Sequence, residues 1–150
     1  MKSIKTRSFE ACKGCRSYYS SMMKYYISIG SNINAQSNID LALDKLQQVL
    51  SSTNRSSTYK TKAEGFKGND FLNLVVVGNT DLSFNDLNST LKTIEDESGR
   101  DRNVSKFSNR TLDLDIVLQI NDRGEEIFKS DEINQYDFVS RPLNELLGDQ

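Results

Sequence analysis

Residues 71–80, FLNLVVVGNT, restrict the fold of this chain more than any other stretch. The run is apolar on both faces, and a strand of that kind belongs in the middle of a sheet. Other segments supply its neighbours. YYISIG (25–30) is apolar and aromatic and ends at a glycine. STNRSSTYKT (52–61) is rich in Ser, Thr and Tyr and reads as an edge strand. In RTLDLDIVL (110–118), Leu112, Leu114, Ile116 and Leu118 alternate on one face, as in a half-buried strand. NDRGEEIF (121–128) reads as a hairpin returning to a short strand.

Helical patterns separate these strands. Ser37 and Asp40 form a capping-box pattern, and Ile39, Leu43, Leu46 and Leu50 follow at helical spacing. Ser83 is placed to cap a second helix, with Phe84, Leu87, Leu91 and Ile94 on one side and Gly99 as its stop. Pro142, the only proline, precedes a last amphipathic fragment, LNELLGD. The resulting order is βαββαβ plus a tail. It predicts an α+β, ferredoxin-like domain: an antiparallel sheet with the helices on one face.

At 150 residues the chain suits one domain, expected over 25–150. Residues 1–24 carry a charge of +5, so the remainder holds −7 of a net −2. That acidic main body argues against a general nucleic-acid or anionic-membrane surface. No apolar run approaches the roughly 18 residues of a membrane span. Residues 1–24 lack a clear period and read as a disordered extension, or as sequence upstream of a start at Met22 or Met23. Their basic, Ser-rich composition also loosely matches an organellar transit peptide. Cys12 and Cys15 fall short of a four-ligand zinc site in a chain without histidine, and read as incidental. The absence of other cysteines fits a reducing, cytoplasmic location.

The chemistry concentrates between Gly99 and Asp115, in GRDRNVSKFSNRTLDLD. Arg100, Arg102, Lys106 and Arg110 lead into Asp113 and Asp115, which share the second face of their strand about 7 Å apart. Like charges so placed repel unless something joins them. A divalent cation does so, and magnesium takes one or two carboxylates plus substrate phosphates. Arginines add forked donors for phosphate oxygens. The set suits phosphoryl-type transfer from a magnesium nucleotide. The plainer alternative is a set of surface salt bridges, worth about 0–1 kcal/mol each. No Walker-A run or kinase glycine loop is present.

YISIGSN at the first strand, Y-x-T at 59–61, F-L-N at 71–73, IEDESGRDR at 94–102 and RTLDLDI at 110–116 occur in order. Together they resemble the 6-hydroxymethyl-7,8-dihydropterin pyrophosphokinases of folate biosynthesis, over roughly residues 25–120. The resemblance implies the ferredoxin-like fold already read. It implies attack of the pterin hydroxymethyl oxygen on the β-phosphorus of ATP, with AMP leaving and two magnesium ions on the triphosphate. Asp113 and Asp115 would hold both metals. Arg100 and Arg110 fall on the catalytic arginines, and Arg102 on the mobile loop that closes over the nucleotide. Glu95 matches an acid near the nucleotide, with a solvated helix-end glutamate as the plain alternative. On the pterin side, Asn73 would pair with the ring's polar edge, and Phe71 and Phe138 would sandwich the ring. Thr61 and Glu64 lie where the backbone faces the pterin. Small-molecule substrates are the partners implied, with no nucleic acid and no membrane; no oligomeric state is implied.

The sequence also departs from the family pattern. KSDEINQYDF replaces a His-Pro element, Tyr136 stands in for a basic residue before Phe138, and Phe107 for a tryptophan. TKAEG lacks the usual prolines, and the chain stops soon after PLNELLGD. Each lost charge-assisted contact would weaken nucleotide binding by about 1.5–3 kcal/mol. A catalytically weakened paralogue and a non-enzymatic interaction module therefore stand as alternatives.

Overall fold

A computed structural model describes residues 22–62, 68–99 and 112–148. The elements run β1 (Met23–Ser31), α1 (Ala35–Val49), β2 (Ser51–Arg55), β3 (Tyr59–Thr61), β4 (Phe71–Thr80), α2 (Phe84–Glu97), β5 (Asp113–Ile120), β6 (Glu126–Lys129), α3 (Glu132–Gln135) and α4 (Asp137–Gly148). The fold is α+β. One antiparallel sheet has the order β2-β4-β1-β5-β6, with β3 also paired to β4.

The apolar run at 71–80 is central, as its two-faced pattern predicts. Leu74 and Val76 join Tyr25, Ile27, Ile29 and Leu114 in a core beneath α1 and α2. Val75 faces the other way, into a second core with Tyr26, Val117, Val139, Leu143 and Leu146. The expectation of helices on one face thus holds for α1 and α2 alone. α4 covers the opposite face, because Val139, Leu143 and Leu146 form an apolar stripe of their own.

Three local expectations change. Ser37 does not cap α1: Asn34 precedes the helix with φ of 46°, a left-handed conformation that asparagine tolerates. Pro142 lies inside α4 rather than ahead of it. It is buried, so its packing offsets the backbone hydrogen bond that a proline cannot donate. Leu118 does not share a face with Leu112, Leu114 and Ile116. The β1–β5 register pairs Tyr26 with Leu118 but Ile27 with Ile116, so Val117 is a bulge that reverses the alternation. Beyond the bulge Gln119 faces Tyr25, donating to its hydroxyl at 3.3 Å.

The second helix matches its sequence signature. The Ser83 hydroxyl accepts the Asp86 N–H at 3.1 Å. Gly99 follows the helix end with φ of 85°, which favours glycine. Among the described residues, no helix is long and apolar enough to cross a membrane.

Candidate active site

Strand register builds the site on the face covered by α4. Gly30 pairs with Asn73 on one side and with Asp113 on the other. Asn73 pairs in turn with Tyr59. Tyr59, Asn73, Gly30 and Asp113 therefore form one row across four strands, all facing the same way. In the next row Ser28 lies between Val75 and Asp115. Two strand spacings, about 10 Å, separate the backbone of Asn73 from that of Asp113.

Gly30 keeps the middle of that row open. A Cβ there would lie 2.9 Å from the Asn73 Oδ1 and 4.0 Å from Phe71. In the sequence Gly30 is legible only as a strand end within a motif; its use shows once the three strands are in register. Asn73 is buried, and its Nδ2 donates to the Thr61 hydroxyl at 2.7 Å. That bond fixes the amide orientation, with Oδ1 over Gly30. Thr61 pairs with Phe71, so Thr61, Phe71 and Asn73 come together as predicted.

Asp113 and Asp115 do share a face, as alternation requires. The pKa of Asp115 is pushed up to about 7, first by burial and next by the charge of Asp113. Glu132 and Glu95 add to the rise, and Lys92 opposes it. Lys92 reaches both groups, with its Nζ 3.9 Å from Asp115 Oδ1 and 3.6 Å from Glu95 Oε2. Glu95 is fully buried rather than solvated at the helix end. Its Oε2 accepts the Leu114 N–H at 2.7 Å. That N–H lies on the edge of β5 that β6 leaves uncovered, since β6 pairs only with Leu118–Ile120. Glu95 thus ties α2 to the strand between the two aspartates.

Phe138 opens α4 on the same face of the sheet and is half-buried. Tyr136 stacks on it, with ring centroids 4.8 Å apart and planes at 19°. The tyrosine that replaces an expected basic residue therefore supports the Phe138 ring.

A row of aligned polar groups and a pair of carboxylates thus share one sheet face. Comparison with known proteins points to the same chemistry. Residues 26–148 match the family described as 7,8-dihydro-6-hydroxymethylpterin-pyrophosphokinase. The chain belongs to this family. It is similar to a 2-amino-4-hydroxy-6-hydroxymethyldihydropteridine pyrophosphokinase of Haemophilus influenzae, 37% identical over 140 residues, covering 85% of this chain and 84% of that protein. The enzyme of the same description from Aquifex aeolicus is 35% identical over 99 residues, covering 65% of this chain and 61% of that protein. A folate synthesis bifunctional protein of Arabidopsis thaliana is 35% identical over 130 residues, covering 81% of this chain but 26% of that larger protein.

Several residues that the family resemblance singles out lie outside the described residues: Glu64, Arg100, Arg102 and Arg110, together with Lys106, Phe107, Cys12 and Cys15. Among the described residues, no group of three or more acidic, histidine or cysteine side chains is gathered to hold a metal alone. A carboxylate pair nevertheless fits magnesium, a hard cation that keeps water and takes other ligands from phosphates. The raised pKa of Asp115 fits too, because a desolvated carboxylate beside a second one is costly as an anion until a cation joins them.

Proposed function

We propose a division of labour over this sheet face for the family's reaction. The chain transfers pyrophosphate from ATP to 6-hydroxymethyl-7,8-dihydropterin in folate biosynthesis. The hydroxymethyl oxygen forms a bond to the β-phosphorus of ATP. The bond from that phosphorus to the bridging α-oxygen breaks, and AMP leaves with the bridging oxygen.

Asn73, held by Thr61, reads the polar edge of the pterin, and Phe71 and Phe138 enclose its faces. By the family resemblance, Glu64 would contribute to pterin binding as well. Gly30 leaves room for the ring to reach across the row towards Asp113. Asp113 and Asp115 hold the magnesium, two ions in this reading, and one carboxylate receives the hydroxyl proton. Bound there, magnesium neutralises the triphosphate and orients it for in-line displacement. By the family resemblance, Arg100 and Arg110 would grip the phosphates where charge develops, and Arg102 would bind the nucleotide. Glu95 braces β5 so that the two carboxylates keep their spacing. The βαββαβ core carrying these residues is read as ferredoxin-like, with α4 added on the open face. The observation that carries the proposal is the row Asn73–Gly30–Asp113, which sets an amide and a carboxylate either side of a bare backbone.

The test is AMP production from ATP and the hydroxymethyldihydropterin, with and without magnesium. The proposal expects AMP only when all three are present. Pterin binding without AMP would indicate a weakened paralogue, and neither binding nor AMP an interaction module.

A further inference from the structure

α4 touches the pterin wall at a second place, through a side chain that no part of the reaction uses. Glu145 Oε1 accepts the Tyr59 hydroxyl at 2.7 Å. Its Oε2 accepts the Ser57 N–H at 2.9 Å and the Ser57 hydroxyl at 3.1 Å. One turn earlier on the helix, the Arg141 guanidinium sits 5.2 Å from the centre of the Tyr59 ring. The Tyr59 hydroxyl first, and then the Ser57 N–H, hold the Glu145 carboxyl below its ordinary range.

The geometry joins the two halves of the pterin pocket. Phe138, Arg141 and Glu145 are spaced i, i+3 and i+7, so they share one side of α4. Glu145 meets Ser57 and Tyr59, and Arg141 meets Tyr59. Continuing in the same sense, the helix carries Phe138 towards Thr61. Strand β3 has three residues and, among the described residues, pairs with β4 alone. It therefore depends on contacts from above for its position. Tyr59 is the partner of Asn73 in the sheet, and Thr61 is the hydrogen-bond partner of the Asn73 amide.

We infer that Glu145 and Tyr59 form a latch that sets the gap between Phe138 on α4 and the Thr61–Asn73 wall on β3 and β4. Glu145 is thus a positioning residue for the pterin, acting through Tyr59. This inference rests on the pterin reading of Thr61, Phe71, Asn73 and Phe138 given above. The bond is charge-assisted and directional, so it fixes distance as well as attraction.

Calorimetry on the full chain tests it, with 6-hydroxymethylpterin and a magnesium-bound, non-hydrolysable ATP analogue titrated separately. The proteins compared are wild type, Glu145→Gln, Tyr59→Phe and the double variant. Each single change is expected to weaken pterin binding about fivefold to tenfold, since small misplacements of a pocket wall are felt directly. The double variant is expected to be no weaker than either single one, because the two side chains act as a unit. Nucleotide affinity and melting temperature should stay near wild type. Unchanged pterin affinity in both single variants overturns the latch and leaves the pocket standing. Pterin and nucleotide affinity falling together with the melting temperature also overturns it, by showing a purely structural contact. Failure of the wild type to bind pterin overturns the pocket reading itself, and the latch's role with it.

Discussion

Two residues set the character of the site. Asp115 titrates near neutrality because it is desolvated beside Asp113. In the unfolded chain an aspartate titrates at about 3.9, so the folded state binds more protons across that interval. Stability without metal therefore falls as pH rises from about 4 to about 7, and the full penalty persists above pH 7. Asp115→Asn should accordingly raise the melting temperature at pH 8 and have little effect near pH 4. The gain at pH 8 should be roughly 2–4 °C, or about 1 kcal/mol, because the partly buried side chain still keeps 41% of its surface in solvent, which screens it. Melting curves of the two proteins across pH check this, and the same variant should lose magnesium-dependent AMP production. Gly30 is the second residue. Gly30→Ala forces the Asn73 amide aside, since the new Cβ would lie 2.9 Å from Oδ1. It should lower pterin affinity by about tenfold, the effect expected of a displaced binding group, and leave nucleotide affinity intact, both read by titration.

At the scale of elements, the sequence was most legible where local chemistry and packing agree. Ser83 and Gly99 marked both ends of α2, and the two-faced pattern of 71–80 marked a central strand. Misreadings arose where tertiary context overrode a local cue. A capping-box pattern at Ser37 lost to a left-handed Asn34, and Pro142 sits inside a helix because the core below it is apolar. The bulge at Val117 leaves no mark in the alternation of Leu112 to Leu118; it appears only when β5 is laid against β1. Glu95 belongs to this scale as well. Its place in the IEDESGR motif is legible in the sequence, but its burial and its bond to Leu114 show only when α2 is laid against β5. Glu95→Ala leaves a buried N–H without its acceptor and should cost about 1–3 kcal/mol. Glu95→Gln keeps an acceptor oxygen and should recover at least half of that loss, as urea denaturation would show.

For the whole molecule, the sheet works by having two unlike faces. One is closed by α1 and α2 over the larger core. The other is closed by α4 at one end and carries the polar row at the other. The proposed site thus draws on β1, β3, β4, β5 and α4, all of which lie within residues 22–148. Removing residues 1–21 should leave melting temperature and pterin affinity unchanged, as calorimetry on the shortened chain would show. The central claim is that Asp113 and Asp115 are kept together to hold the metal of a magnesium nucleotide opposite the pterin wall. Crystals grown with manganese, a non-hydrolysable ATP analogue and 6-hydroxymethylpterin test it most directly, through the anomalous signal of the metal. The account predicts a peak at coordination distance, about 2.1 Å, from carboxylate oxygens of both aspartates and bridging to the phosphates. A bound nucleotide with no metal at that pair, its acids neutralised by arginine or lysine alone, would contradict it.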